Sequence, residues 1–508
     1  MSKPSRRPNR EEIKALNKER KAAQKVLRAK QRAEGMTIPT KSSIPNRKSQ
    51  YDNVEEEQEV RELAATEHAR VFQSQLPGIL KTVSKIKDLR NPKKIKYKMD
   101  LLIMYGILMF VFQMASRREA NKKITLPQFM ESLRLLFPNL DDIPHGDTLK
   151  RVLAVIKVDL IEEALIQAVK RLMKKKKFAR YLIQKAYPIA IDGSQKFVRD
   201  TLWSVECSER EIKNGDSTKM QYHVNVLESN LVFHNGMTIP LMSEFMDYEK
   251  GDTETAKQDC EQKAFKRLAE RLKKAFPRLS IIVLLDGLYP NGPMVELCRK
   301  NNWDFMIVLQ DKSLRSVWEE FEGLQKIETN NFYNMNWGDR KQRFEWINNI
   351  EYCYGPNGRK KQILHMVICY ETWEEIAKDS TELVTNNSRH VWISSKPLSR
   401  SNLHERCNLG ARHRWGIESN FLVEKHHGYQ YEHAFSYDWN AMRGYHYLMR
   451  LGHFINILAV YSECLIAIVR EYGIRGFIKF VRSTLSGRWL DLVSTQQRLE
   501  ANFQLRLI

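Results

Sequence analysis

Cysteine is scarce, at seven residues in 508 (Cys207, Cys260, Cys298, Cys353, Cys369, Cys407 and Cys464). So few thiols exclude a disulfide scaffold. No two of them form a C-x2-C pair, which argues against a zinc ribbon or finger. Long apolar runs are also missing. The longest clean one, Leu101 to Met114, has 14 residues and is too short to cross a bilayer. The run from Leu451 to Val469 is longer but contains His453, Asn456 and Glu463. Both read as core helices. The charged N-terminus lacks the apolar stretch of a secretory signal. No internal repeat is visible. The expectation is a soluble protein of a reducing, cytoplasmic compartment.

What is present is apolar mass and positive charge. Hydrophobic residues make up 42% and aromatics 10%, enough for a large core in about three domains. Lys and Arg number 83 against 61 Asp and Glu, a formal net charge of +22. A chain this basic is suited to a polyanion, because each neutralised phosphate releases a counterion. Residues 1–50 hold fifteen Lys/Arg and four Glu, a balance of 15 − 4 = +11, half that of the whole chain. Their composition predicts a disordered, phosphate-seeking arm.

From about residue 54 to 180 the periodicity is helical, with Asp147 expected as an N-cap after the turn in "IPHGD" (143–147). The pattern changes at Tyr187. "YPIAIDG" (187–193) reads as a short buried strand, and "MQYHVNVLES" with "GMTIPLMSEF" as alternating strands around a turn at 235–236. Residues 253–276 read as an amphipathic helix. "SIIVLLDG" (280–287), a helix over 291–301 and "DFMIVL" (304–309) complete a mixed α/β sheet with a parallel core. Residues 311–400 lose the helical period and read as a β-rich insertion holding Trp318, Trp337, Trp346, Trp373 and Trp392. Residues 403–473 return to helix.

Two aspartates share one context. Asp192 ends an apolar strand and precedes Gly193; Asp286 ends another and precedes Gly287. On neighbouring parallel strands both carboxylates emerge at one sheet edge, and two acids held close repel unless a cation bridges them. Oxygen ligands beside phosphate suit Mg²⁺. Asp-Gly after a strand is equally an ordinary turn. The third acid comes from "RWGIESNFLVEK" (414–425). At about 100° per residue, Arg414, Glu418 and Lys425 fall within about 40° of each other. Ile417 and Phe421 flank them on one side and Trp415 and Leu422 on the other, so three charges are expected in the middle of an apolar face. Such burial is costly unless the charges are paired or metal-bound; an Arg–Glu pair at i, i+4 accounts for part of it.

Asp192, Asp286 and the R-x3-E-x6-K pattern at Arg414, Glu418 and Lys425 resemble the DDE transposases of bacterial insertion sequences. The spacings are 286 − 192 = 94 and 418 − 286 = 132 residues. "LLDGLYPNGPMVELCRKNNWDFMIVLQD" (284–311) is similar to that family's second-aspartate block, and residues 88–119 with "IPHGDTLKRVL" resemble the N-terminal region of some members. The family signature often has a Tyr three residues before the Arg, where this chain has Ala411. Tyr429 and Tyr431 are the nearby candidates to replace it.

The resemblance implies a fold and a chemistry. The fold is α/β: a ribonuclease-H-like mixed sheet interrupted by a β-rich insertion and preceded by an all-helical module. The implied division is a basic arm (1–50), a helical DNA-binding module (51–180), a catalytic core (185–310 and 401–475), the insertion (311–400) and a C-terminal helical tail (476–508). Asp192, Asp286 and Glu418 would ligate two Mg²⁺ ions, with Mn²⁺ able to substitute, for cleavage and strand transfer. Arg414 and Lys425 would hold DNA phosphates. Trp392 or Trp346 would stack a flipped base. The implied partners are duplex DNA, as element terminal inverted repeats and target, and a second copy of the chain on that DNA, in a bacterial nucleoid. Glu244 and Glu270 are rival third acids. His413, His426, His427 and His433 with Cys407 fit no compact zinc pattern. A nuclease or resolvase of the same fold that does not join strands, and a non-enzymatic DNA-binding protein, are the competing functions.

Overall fold

The computed structural model describes residues 9–38, 43–138, 140, 142–215, 217–248 and 260–508. The first part of the helix expected from residue 253, and parts of the N-terminal arm, lie outside them. In chain order the elements are α1 (Arg10–Ala33), α2 (Val54–Val83), α3 (Met99–Val111), α4 (Arg117–Lys123), α5 (Pro127–Leu136), α6 (Gly146–Leu153), α7 (Asp159–Lys174), β1 (Tyr187–Arg199), β2 (Ser208–Asn214), β3 (Ser217–Val232) and β4 (Thr238–Met246). There follow α8 (Glu261–Ala275), β5 (Ile281–Leu285), α9 (Gly292–Lys300), β6 (Asp304–Val308), α10 (Arg315–Gln325), β7 (Phe332–Trp337), β8 (Arg340–Tyr354), β9 (Lys360–Ile376) and β10 (Leu383–Ser394). The chain ends in α11 (Trp415–His426), α12 (Trp439–Val460), α13 (Ile466–Leu485) and α14 (Leu492–Glu500). The protein is mixed α/β, with a helical N-terminal region. No helix among the described residues is long and apolar enough to cross a membrane.

The chain separates into two compact units, residues 1–42 with 285–411, and residues 43–284 with 412–508. The helical segment 51–180 therefore shares a unit with the C-terminal helices. The larger unit holds a mixed sheet. β1 runs parallel to β5, with Tyr187 to Ala190 facing Ile281 to Leu284. β3 is antiparallel to β1, β2 and β4. β5 reads Ile-Ile-Val-Leu-Leu and is buried throughout, as a strand covered on both faces must be. β1 is longer than its apolar run suggests. It continues through Asp192 and Gly193 to Arg199, because the antiparallel ladder to β3, which begins at Ile189, runs on past the end of the parallel one at Ala190.

Helices α3 and α12 supply much of this unit's core. Both are apolar around most of their circumference and buried along most of their length. They approach closely at Gly452, where an added Cβ would stand 2.7 Å from Phe110 Cβ. The apolar run 451–469 is not one helix: α12 ends at Val460 and α13 begins at Ile466. The N-cap of α6 is His145, whose ring accepts from the Asp147 N–H at 3.2 Å. Asp147 sits instead in the first turn, as an ion-pair partner of Arg117, and takes the anion-favoured place there.

The smaller unit is built on an antiparallel array in the order β6-β10-β9-β8-β7, so the expected β-rich segment is present. It also contains α10, which the alternating reading of 311–400 overlooked. Residues 10–33, expected as disordered arm, form the 24-residue helix α1. Asn9 and Glu12 make a reciprocal capping box at its start. Leu27 and Gln31 are buried, and Arg20 Nε donates to the Ala377 carbonyl at 2.9 Å. Composition predicts the charge of this segment but not its docking face.

Candidate active site

Arg414 ends a short 3-10 turn (Ala411–Arg414) and forms the N-cap position of α11. Its guanidinium lies 3.6 Å from Asp192 Oδ2 through Nη1 and donates to Glu418 Oε1 at 2.6 Å through Nη2. The residue is 6% exposed. Two of the acids and the arginine of the R-x3-E-x6-K pattern thus meet, because α11 packs on β1 and β3. Asp192 lies within β1, and Asp286 follows the end of β5 at Leu285 and belongs to the smaller unit. The Asp286 carboxylate accepts the Leu288 N–H at 2.9 Å, a local turn bond. Lys425 is not part of the Arg414 cluster; its Nζ pairs with Glu432 Oε1 at 3.0 Å.

The buried face of α11 differs from the predicted one. Ile417, Asn420, Phe421 and Glu424 point inward, a stripe at helical spacing. Trp415 and Leu422 are 63% and 55% exposed, and Trp415 lies against the Arg414 guanidinium, 5.2 Å from its ring centroid. Glu424, the charged residue of that stripe, finds its partners inside, in Arg450 and His453. Asn420 and Glu424 are the residues sequence reasoning passed over, although their i, i+3, i+4, i+7 spacing with Ile417 and Phe421 was available in the pattern.

Glu424 opens onto a buried polar network. Arg450 of α12 donates through Nη1 to Glu424 Oε1 at 3.3 Å and also to Glu228 of β3. Its Nη2 donates to Asn230 Oδ1 at 2.6 Å. His453 Nδ1 stands 2.7 Å from Glu424 Oε1, and Tyr431 OH donates to Glu228 Oε1 at 2.9 Å. Lys196 of β1 donates to the Tyr431 carbonyl at 2.8 Å. Burial pushes the Glu228 carboxyl up to about 7, against the pull of Arg450. Burial also acts to raise Glu424, but Arg450 and His453 outweigh it and hold that carboxyl low. Burial brings the Lys196 ammonium down to about 8. Glu228 lies directly across from Asp192 in the β1–β3 register.

The remaining candidates take structural places. Trp346 and Trp392 are buried, and Trp392 stacks on His390, so neither ring is open to a base. Tyr429 and Tyr431 are buried as well, held by Asn456 and Glu228, which removes both as surface replacements for the Tyr missing at Ala411. Glu244 is buried against Arg267 and Arg271, at 2.7 and 2.8 Å, while Glu270 is exposed on α8. His433 Nδ1 accepts the Phe435 N–H. Burial, with His234 and Arg412 nearby, pushes the His413 imidazole down to about 4.

Among the described residues no three His, Cys, Asp or Glu side chains are grouped to hold a metal ion. Asp192 and Glu418 converge on one positive group, and carboxylate oxygens are the donors a hard divalent ion takes.

No curated protein matches the chain. Residues 80–169, spanning the end of α2 through most of α7, match the family model described as DDE_Tnp_1-associated, which points to the DDE transposase family.

Proposed function

We propose that the chain is a DNA transposase that cuts the DNA phosphodiester at element ends and joins the freed 3′-hydroxyl to target DNA, with a ribonuclease-H-like core. The observation that carries this reading is the convergence of Asp192 and Glu418, 226 residues apart, on Arg414. The match over 80–169 supports it independently. Asp286 enters as the third acid on the sequence pattern.

In this reading Asp192, Asp286 and Glu418 would hold two divalent ions, which would supply activation of the attacking oxygen and stabilisation of the leaving one. Arg414 balances the charge of Asp192 and Glu418 and aims both carboxylates in one direction. The buried Glu424–Arg450 pair fixes the helix on which Glu418 rides, so the Glu418 carboxylate is held by packing. Lys425 meets phosphate as a point charge when it parts from Glu432. The partners are duplex element ends, target DNA and a second copy of the chain.

The test is incubation of the purified protein with labelled duplexes carrying the inverted repeats that bracket its reading frame, in Mg²⁺. Cleavage and joined products are expected from the wild type. Asp192→Ala, Asp286→Ala and Glu418→Ala should bind the ends without cutting. Near-normal cleavage by any one of the three rejects the triad. Cleavage with no joined product makes the protein a nuclease instead.

A further inference from the structure

Helix α1 carries a row of cations that the catalytic reading does not use. At about 100° per residue, Arg10, Lys14, Lys18, Lys21, Lys25, Arg28 and Arg32 all fall within about 40° of one line along the helix. All seven are exposed. The acids of the helix, Glu11, Glu12 and Glu19, fall outside that arc. From Arg10 to Arg32 the row runs about 33 Å at about 1.5 Å per residue.

The opposite side of α1 is committed to the protein. Leu27 and Gln31 are buried, Arg20 donates to the Ala377 carbonyl, and Gln31 Nε2 donates to the Glu374 carbonyl at 3.4 Å. Lys30 pairs with Glu374 at 3.5 Å, and Glu34, just past the helix end, pairs with Lys341 at 3.0 Å. These contacts fix the rotation of the helix about its axis. The cationic row therefore faces outward as a preformed line rather than as charges on a loose chain.

We propose that this row is a docking surface for the phosphate backbone of duplex nucleic acid, reading charge and shape without base sequence. A duplex offers one negative charge per about 1.7 Å of axis, so about 33 Å of helix can be met by phosphates along its whole length. A regular row of long, exposed cations suits backbone contact. An anionic membrane is a poorer fit. A helix lying in a lipid interface needs an apolar face to embed, and here Leu27 is turned into the protein.

The experiment measures binding of a random-sequence duplex by the full-length chain in EDTA, as a function of salt. The variant carries Lys14→Gln, Lys18→Gln, Lys21→Gln and Lys25→Gln. The control carries Lys300→Gln, Lys312→Gln, Lys326→Gln and Lys378→Gln, four exposed lysines elsewhere in the same unit. Circular dichroism confirms that both remain helical. At about 0.9 per phosphate contact, losing four contacts should lower the slope of log affinity against log salt by about 3.6. The control should stay within about 1 of wild type. An unchanged slope in the row variant, or an equal fall in both, overturns the proposal. So does a row variant that loses binding to phosphatidylserine vesicles while keeping its hold on DNA. Because no cleavage is involved, the result stands whether or not Asp192 and Glu418 prove catalytic.

Discussion

Arg450 of α12 and Glu424 of α11 meet in a solvent-free interior, Nη1 3.3 Å from Oε1. The same guanidinium reaches Glu228 and Asn230 on β3, so one side chain ties the helix bearing Glu418 to the strand facing Asp192. Two buried carboxylates share that cation. Removing it strands both, and breaking a buried pair of this kind costs about 3–5 kcal/mol. Arg450→Met is therefore expected to lower the denaturant midpoint strongly, and Glu424→Gln, which keeps the shape and some hydrogen bonding, by less. A wild-type midpoint for Arg450→Met in urea unfolding would remove this network from the account of stability.

That network also marks the limit of what the sequence discloses. Strands β1, β5 and β6 and helix α3 are legible because each holds a concentrated apolar run, and Asp192, Asp286 and Glu418 stand out against such runs. Glu424 does not. It is a charge near the end of a helix, the ordinary place for a solvated residue, and its partners Glu228, Arg450 and His453 come from segments far away in the chain. Local periodicity carries no information on such pairing. The α1 helix was hidden for the opposite reason: its docking face amounts to a few residues among many charges, so composition alone reads as disorder.

The antiparallel array of the smaller unit contains a buried histidine. His365 of β9 is buried, and its Nδ1 accepts the Asn349 N–H at 3.2 Å. Burial, with Arg299 and Arg406 nearby, pushes the imidazole from 6.5 down to about 4. A group whose folded value is depressed stabilises the fold above its unfolded value and loses that contribution as pH falls through the folded one. The melting temperature should therefore drop between pH 6.5 and 4. His365→Gln retains an acceptor for Asn349 without titrating, and should flatten that part of the curve. An identical pH profile for the variant would assign the acid lability to other groups.

Two helical glycines should respond in opposite directions to the same change. At Gly452 an added methyl would meet Phe110 Cβ at 2.7 Å and the backbone of Phe110 and Val111 at 3.1 Å. Overpacking of this sort costs about 1–3 kcal/mol, more than the gain of about 1 kcal/mol in helix propensity. Gly323 in α10 has nothing within 4 Å of the new methyl, so Gly323→Ala keeps the propensity gain. Thermal melts should show Gly452→Ala below wild type and Gly323→Ala at or above it. A stabilised Gly452→Ala would mean that α3 and α12 separate more readily than their packing implies.

Arg414 allows the proposed chemistry to be tested at a residue that is not itself an acid. It stands between Asp192 and Glu418, 3.6 and 2.6 Å from their oxygens. Without it the two carboxylates lose their shared counter-charge and the group that holds them in one orientation. Arg414→Ala should cut DNA cleavage by about 10²–10³-fold, the scale of losing one fixed electrostatic partner. Arg414→Lys retains the charge but not the planar fork, and should fall between. Duplex binding at fixed salt should change little in either variant, because the guanidinium faces the acids rather than solvent. Cleavage by Arg414→Ala at the wild-type rate would show that the meeting of Asp192, Arg414 and Glu418 is structural and that the reaction is carried elsewhere.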